Sequence, residues 1–375
     1  MPGIMQAIPA QVSITYSVLS SVSEIRVEDW HRLFGDLPEG YGFFQTLEAS
    51  RLEGFNFYYV LVQADSRLEL IAPLFSSDLD LGIGLGPRAQ QVLRVLRKVL
   101  PRLLVVRTLF CGSPFGENGV IAISPDRTRQ TALIEELVRA MEQVRREKRL
   151  KFLVFKDFTE NASRVLLPLT RLGFLRGDSF PNVVLALPYR TMDEYLESLS
   201  YGTRKDLRRK VRKTLSGASL QVRIVDDVAP MIEPVYQLYL NTYNAGTVRF
   251  EKLTREYFLT IGRLEQHAAK FFLFYINDRL IGFNLCLRHG NQLIDKFIGM
   301  DYSSSRRLNL YFYSWYYIVE WCIQHGIRHY QVGQTDYEAK LRLGGKLLPL
   351  SFFARHPNRV LARLLRLGAR FFRPA

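Results

Sequence analysis

Between residues 270 and 350 the chain follows a rhythm that only a mixed α/β unit accommodates: strand, strand, strand, helix, strand, helix, strand. Residues 271–276 read as an aromatic-rich strand, Asn277-Asp278 as its turn and 280–287 as the returning strand. Residues 293–298 are the third strand, 308–324 a crossover helix, 329–332 the next strand, 337–343 a short helix and 347–353 the last strand. A fainter copy lies upstream. Residues 57–62, the turn Ala64-Asp65-Ser66 and residues 68–75 repeat the opening hairpin. Residues 151–155 repeat the post-helix strand, and Arg171-Leu172-Gly173-Phe174 echoes Arg342-Leu343-Gly344-Gly345. Duplication of such a unit predicts two lobes with a cleft for small-molecule chemistry.

At 375 residues there is enough chain for two cores. The expected division is residues 1–187, 188–355 and a basic tail at 356–375. A hydrophobic content of 47% excludes a disordered polymer, and no apolar run is long enough to span a bilayer. Residues 1–20 lack the basic start and apolar centre of a signal peptide. Cys111, Cys286 and Cys322 form neither a disulfide framework nor a zinc pattern, and the six histidines suggest no metal or triad, so a cytoplasmic protein without a metal is expected.

The net charge of +15 is concentrated. Arg204, Lys205, Arg208, Arg209, Lys210, Arg212 and Lys213 oppose Asp206 alone, for +6, and six arginines after Ser351 meet no acid, for another +6. Two local devices therefore carry the excess. Elsewhere, residues 27–33 and 45–52 read as short helices. A glycine-rich link at 82–87 leads to a basic amphipathic helix at 89–100. Residues 131–148 form a clearer helix with Leu133, Ile134, Leu137, Val138, Met141 and Val144 on one stripe. Residues 182–187 are expected as the last strand of the first lobe, with Pro188 as hinge. The second lobe opens with helix 193–199 and the basic helix, for which Thr203 and Asp206 make a capping pair. A strand at 219–225 and helices at 230–243 and 254–267 follow.

Three segments in that order carry a resemblance: Leu199-Ser200-Tyr201-Gly202-Thr203-Arg204-Lys205-Asp206-Leu207-Arg208-Arg209, the hairpin Asp278-Arg279-Leu280-Ile281-Gly282-Phe283, and Val332-Gly333-Gln334-Thr335-Asp336-Tyr337-Glu338-Ala339-Lys340-Leu341-Arg342-Leu343-Gly344. The chain resembles the GCN5-related N-acyltransferase (GNAT) superfamily, in the tandem version of the Fem-type transferases and the BioF2-like acyltransferase group. The resemblance implies an α/β fold of tandem GNAT-like lobes and an enzyme that moves an acyl group from an activated donor, acyl-CoA or aminoacyl-tRNA, to an acceptor amine. Cell-envelope precursors are acceptors the Fem-type likeness suggests.

In this superfamily the donor pyrophosphate lies at the N-terminus of the long helix, where backbone N–H groups and the helix dipole favour an anion. The matching segment holds Ser303, Ser304, Ser305, Arg306, Arg307 and Asn309 and lacks the usual glycines. Those side chains either hold an anionic donor themselves or form a serine-rich surface loop. The missing glycines point away from acetyl-CoA toward another anionic donor, or toward a non-catalytic membrane- or RNA-associated protein on the same fold. Tyr337 and Lys340, three apart, share one side of a short helix. The Fem-type pattern implies that Lys340, just before Gly344-Gly345, contacts a substrate phosphate or carboxylate; a solvent lysine beside a packed tyrosine is the other reading. Gln334 and Thr335 cap that helix or touch ligand. Asp295 and Lys296 fall on opposite faces of an otherwise apolar strand. Asp295 is then either a base for the attacking amine or half of a buried pair with an arginine.

The basic helix reads as a nucleic-acid footprint, with tRNA as the partner, as a leaflet contact, or as a solvated face; it lacks the interleaved aromatics of base stacking. In the tail, Arg359, Arg363, Arg366, Arg370 and Arg373 fall within an arc of about 80°, opposite Leu361, Leu364, Leu365, Phe371 and Phe372. That pattern suits either an anionic membrane surface on its cytoplasmic side or packing onto the protein body.

Overall fold

The computed structural model describes residues 13–84, 86–217, 219–246, 252–264 and 268–356. Its strands are β1 (Ile14–Leu19), β2 (Asn56–Ala64), β3 (Arg67–Asp80), β4 (Val105–Cys111), β5 (Ala122–Ile123), β6 (Phe152–Thr159), β7 (Leu175–Asp178), β8 (Asn182–Ala186), β9 (Leu220–Val225), β10 (Ala269–Ile276), β11 (Arg279–His289), β12 (Gln292–Met300), β13 (His329–Gln331), β14 (Lys346–Leu348) and β15 (Leu350–Arg355). Its helices are α1 (Val27–Phe34), α2 (Tyr41–Ala49), α3 (Pro87–Leu96), α4 (Arg127–Glu147), α5 (Glu160–Val165), α6 (Pro168–Arg171), α7 (Met192–Ser198), α8 (Tyr201–Gly217), α9 (Ile232–Ala245), α10 (Arg255–Ile261), α11 (Tyr302–Leu308), α12 (Leu310–Gln324) and α13 (Tyr337–Arg342).

The described residues form two compact units. One holds 13–35, 56–177 and 351–356, the other 36–55 and the described part of 178–350. Each is built on one mixed sheet, in the order β1-β2-β3-β4-β6-β15-β7 in the first, with β5 also pairing β3, and β9-β10-β11-β12-β13-β8-β14 in the second. Place for place the two orders match. Four antiparallel strands lead each sheet, a parallel neighbour follows, and two further strands close it. The duplicated α/β unit expected from the sequence is present.

The sixth place of each sheet is filled crosswise. Strand β8 follows β7 in the chain but lies in the second sheet, between β13 and β14. Strand β15 follows β14 but lies in the first, between β6 and β7. Residues 182–187, expected to end the first lobe, therefore belong to the second unit. The stretch 347–353, expected as one strand, is two. Pro349 has no N–H to give to a ladder, and the chain changes sheets there. Side-chain alternation specifies a strand and its buried face but not which of two similar sheets receives it.

In the first unit the stripe on α4 is buried as expected, with Leu133, Ile134, Leu137 and Met141 fully covered. Asp126 caps that helix by accepting from the Thr128 N–H at 3.0 Å. In the second, Leu310, Tyr313, Trp315, Ile318, Val319 and Cys322 of α12 pack with Phe272, Phe274, Cys286 and Leu293 of the sheet. The opposite sheet face carries Phe271, Phe283 and Phe297 toward Tyr239 and Phe258. The crossover helix expected at 308–324 is interrupted at Asn309, whose left-handed backbone (φ 53°) ends α11 and starts α12. Asparagine adopts that conformation more readily than most residues.

Phe353 of β15 is fully buried in the first unit's core. Phe353→Ala should lower unfolding free energy by about 3–5 kcal/mol, read as a shift in the denaturant midpoint. An unchanged transition would exclude β15 from that unit's cooperative core.

Candidate acyl-transfer site

The site begins where two neighbouring strands part. Strands β12 and β13 run parallel and pair only at Gln292↔His329, Leu293↔Tyr330 and Ile294↔Gln331. Strand β13 ends there, while β12 continues to Met300. On its other edge β12 bulges against β11: Cys286 faces Asp295 and Leu285 faces Phe297, leaving Lys296 as the extra residue. A bulge bends its strand and resets the alternation of side chains beyond it.

That reset separates two polar groups. Asp295 lies on the α12 side, where its Oδ2 accepts from the Tyr330 hydroxyl at 2.8 Å and the Asn284 Nδ2 at 2.9 Å. Burial first, and then the charge of Asp295, push the hydroxyl of Tyr330 and the thiol of Cys286 well up. Lys296 turns the other way. Its ammonium meets Glu39 at 2.6 Å with side-chain exposures of 1% and 7%, and it lies over the Phe43 ring. The buried partner expected for Asp295 was an arginine; the structure gives Asp295 a tyrosine and an amide, and the buried ion pair belongs to Lys296.

The serine segment folds as α11, and its hydroxyls are engaged. Asp301 caps the helix, accepting from the Ser303 N–H (3.0 Å), the Ser303 hydroxyl (2.6 Å) and the Ser304 hydroxyl (3.0 Å), and it pairs with Arg279 at 2.7 Å. Burial pushes the Asp301 carboxyl up, but the two serines and Arg279 outweigh it and hold it below the ordinary carboxylate range. Its stabilising effect is complete above that range and disappears as pH falls through the depressed value. Ser305 is buried, Arg306 lies over the Tyr302 ring, Arg307 is exposed, and Asn309 forms the turn into α12. A carboxylate thus stands where the resemblance puts the donor's phosphates, which corrects the expectation that Ser303 and Ser304 offer their hydroxyls to an anion.

Within the second unit a cavity of about 640 Å³ lies between the start of α8, the start of α12 and the loop into α13. Thr203, Asp206, Tyr311, Asp336, Tyr337 and Glu338 are among its lining residues. Tyr337 is one of them, and its hydroxyl donates to the Pro181 carbonyl at 2.9 Å. Lys340 does not share that surface. It is 7% exposed and its ammonium donates to the Val332 carbonyl, tying α13 to the end of β13. The expectation of two side chains on one open face is corrected accordingly, because a six-residue helix packed on β8 leaves its i+3 position inside. Gln334 is half-buried with Nε2 unpartnered among the described residues, and Thr335 is exposed. Neither caps α13, whose cap position is Asp336 with no side-chain cap bond.

Two residues that sequence reasoning passed over stand out. Asp336 has a left-handed backbone (φ 52°), and its carboxylate has no hydrogen bond or ion pair among the described residues. Such conformations concentrate at functional sites. The Tyr311 hydroxyl is buried without a hydrogen-bond partner among the described residues. Burial first, then the charges of Asp336 and Asp295, push it above the ordinary phenol range. Tyr311 was hidden in the run Leu310-Tyr311-Phe312-Tyr313, which reads as helix core. The only signal for Asp336 was its place at a strand-to-helix turn.

Helix α8 is capped by Ser200, whose hydroxyl accepts from the Thr203 N–H at 3.3 Å, in place of the expected Thr203 and Asp206 pair. Asp206 instead meets Arg209 at 2.7 Å and Lys210 at 2.8 Å, while Lys205, Arg208, Arg209, Arg212 and Lys213 are exposed. Arg359, Arg363, Arg366, Arg370 and Arg373 lie outside the described residues. No group of three metal-ligating side chains occurs among the described residues, and no described helix is long and apolar enough to cross a membrane.

Residues 202–341 match the family model of the Acetyltransferase (GNAT) domain. Proteins from two strains of Mycobacterium tuberculosis, CDC 1551 / Oshkosh and ATCC 25618 / H37Rv, named as an 8-amino-7-oxononanoate synthase 2, are each 24% identical over 324 residues. The match takes in 84% of this chain but 42% of those relatives, so the chain spans less than half their length. A crystal structure of FemX is similar in fold, with TM-score 0.57 and 13% identity over 93% of this chain and 99% of that one. A tandem GNAT protein from the clavulanic acid biosynthesis pathway gives TM-score 0.55 and 12% identity over 92% and 99%. These likenesses agree with the repeated sheet order and with the tandem GNAT architecture.

Lys296→Met should destabilise the protein by about 3–5 kcal/mol, because it leaves Glu39 charged and buried. The double substitution Glu39→Leu with Lys296→Met should recover most of that loss. Equal losses in the single and double variants, measured by denaturant unfolding, would show that the pair is not energetically coupled.

Proposed function

We propose that the protein is an N-acyltransferase whose second unit carries the transfer site, with the amine acceptor held in the cavity beside Asp336. The observation that carries this reading is the presence, on one cavity within the segment that matches the GNAT model, of the Asp336 carboxylate and the buried Tyr311 hydroxyl, neither with a hydrogen-bond partner among the described residues. Asp206 on the lining is paired with Arg209 and Lys210 and lies 3.9 Å from Arg342, which leaves Asp336 and Glu338 to favour the cationic amine end of the acceptor. The amine loses its proton to Asp336, and its nitrogen attacks the acyl carbonyl. A C–N bond forms, and the C–S bond of a thioester or the C–O bond of an aminoacyl ester breaks. Tyr311, kept protonated by its surroundings, donates to the carbonyl oxygen as negative charge develops there. Asp295 acts from behind, orienting Tyr330 and helping to keep Tyr311 neutral.

Engagement of the serines by Asp301 supports a donor other than acetyl-CoA, with aminoacyl-tRNA and longer acyl-CoA as candidates, and α8 offers its exposed cations to a tRNA. Phosphate-bearing envelope precursors are the acceptors in this reading. The same engagement is what favours the alternative, a non-catalytic protein on a GNAT fold.

Incubation with labelled acetyl-CoA, long-chain acyl-CoA and charged tRNA, with amine acceptors, should give transfer from one donor. No transfer and no binding of any donor would favour the alternative. With the active donor, Asp336→Asn should abolish the acid limb of the kcat/KM profile, and Tyr311→Phe should cost about 10²–10³ in kcat. Asp295→Asn should keep the limb at reduced rate. Loss of the limb in Asp295→Asn alone would return the role of base to Asp295.

A further inference from the structure

Helix α3 in the first unit is held out rather than packed in. Of its apolar residues, Leu93 is the one that is buried, and it seats on Gly82, where an added Cβ would lie 2.3 Å from Leu93 Cδ2. Just past the helix, Arg97 grips Asp80 through two hydrogen bonds of 2.8 and 2.6 Å and also donates to the Leu103 carbonyl. This clamp fixes the helix while Val92, Val95, Leu96, Val99 and Leu100 stay exposed, Val95 at 60% and Val99 at 82%. The helical hydrogen bond from Leu100 N–H to the Leu96 carbonyl keeps the last of these in register with the others. Isolated exposed apolar residues are ordinary, but these three valines and two leucines, spaced along one side of the segment from Val92 to Leu100, make a patch.

Charge identifies the occupant. Arg88, Arg94 and Lys98 are exposed on the same segment, and none has an ion pair among the described residues. No Asp or Glu occurs in the sequence from Leu81 to Gly116. A second copy of this face, or the arginine-rich tail with no acid after Ser351, would set cation against cation. RNA would satisfy the cations but leave the valines and leucines in water. We infer that α3 and the turn after it form a docking face for an anionic lipid bilayer. The apolar side chains enter the headgroup boundary and the basic ones meet lipid phosphates, the arrangement of an interfacial helix. This placement is independent of the transfer reaction proposed above.

The test uses the full chain and vesicles of phosphatidylcholine with and without phosphatidylglycerol. Wild type should sediment with the anionic vesicles, more weakly as salt rises. Val95→Ser with Val99→Ser should weaken partitioning ~10-fold or more at every salt concentration, and Arg94→Glu with Lys98→Glu should weaken it chiefly at low salt. A Val99→Cys variant labelled with an environment-sensitive dye should brighten on vesicle addition; the native thiols are all buried and will not compete for the label. Melting temperatures should stay within a few degrees of wild type, since the altered side chains are exposed.

Any of four results would overturn the inference. Wild type might be found only in the supernatant, or the serine variant could sediment as well as wild type, which would assign binding to another surface. The serine variant could melt far lower, showing that the patch is packed. Light scattering could find a dimer that Val99→Ser abolishes without any vesicle binding.

Discussion

Lys296 marks the place where the second unit's sheet resets its alternation. As the extra residue of the β12 bulge it reaches Glu39 in a nearly dry environment. Anchored there, it holds the bulge in place, and the bulge keeps Asp295 on the α12 side while turning Phe297 toward Tyr239 and Tyr257. Without it, alternation would carry Phe297 onto the face of Asp295 and replace a hydrogen-bonded carboxylate cluster by an aromatic packing layer. A buried ion pair contributes little net stability over an apolar pair of the same volume. Its value here is geometric, because it fixes where the alternation resets.

The parting of β12 from β13 after Ile294 has a related consequence. A parallel pair bonded over three residues leaves the far half of β12 without that neighbour. In this chain the helix beyond the opening is capped by Asp301, so the positive end of α11 is neutralised from within. Among the described residues, the Tyr311 hydroxyl of α12 is buried without a hydrogen-bond partner, and the exposed Asp336 carboxylate at the start of α13 has no hydrogen bond or ion pair. Buried polar atoms are costly to leave unpaired. The buried Tyr311 hydroxyl lines the same cavity as the exposed carboxylate of Asp336, where a ligand can supply the missing partner.

Positive charge serves different purposes in different places. On α8 part of it is neutralised locally, by Asp206 and Asp193, and Lys210 lies 3.4 Å from the centre of the Phe312 ring. Around α3, Arg97 is paired with Asp80, but Arg88, Arg94 and Lys98 have no ion pair among the described residues and share their segment with exposed valines and leucines. A count of basic residues would treat the two alike. The difference lies in what stands between the cations, carboxylates in one case and apolar surface in the other.

Much of the fold was legible in the sequence because strand and helix leave local periodic signatures: the hairpins of both repeats, the α4 stripe and the crossover helix all stand where alternation and helical spacing put them. The duplication was legible for the same reason. Position on the chain also brought Tyr337 and the Asp295–Lys296 pair into view, since charges within an apolar strand are conspicuous. Tertiary structure alone decided the rest. Which sheet receives β8 and β15 depends on long-range hydrogen bonding between strands that look alike locally. Whether Lys340 faces solvent or a backbone carbonyl depends on how a six-residue helix seats on its neighbours. The hydroxyls of Ser303 and Ser304 are spent on Asp301, and Tyr311 and Asp336 line one cavity because separate segments converge in space. The sequence determined which elements form and which faces they bury, because those preferences are carried by near neighbours; the pairing of polar groups was left to the fold, because hydrogen-bond partners are chosen by distance in space.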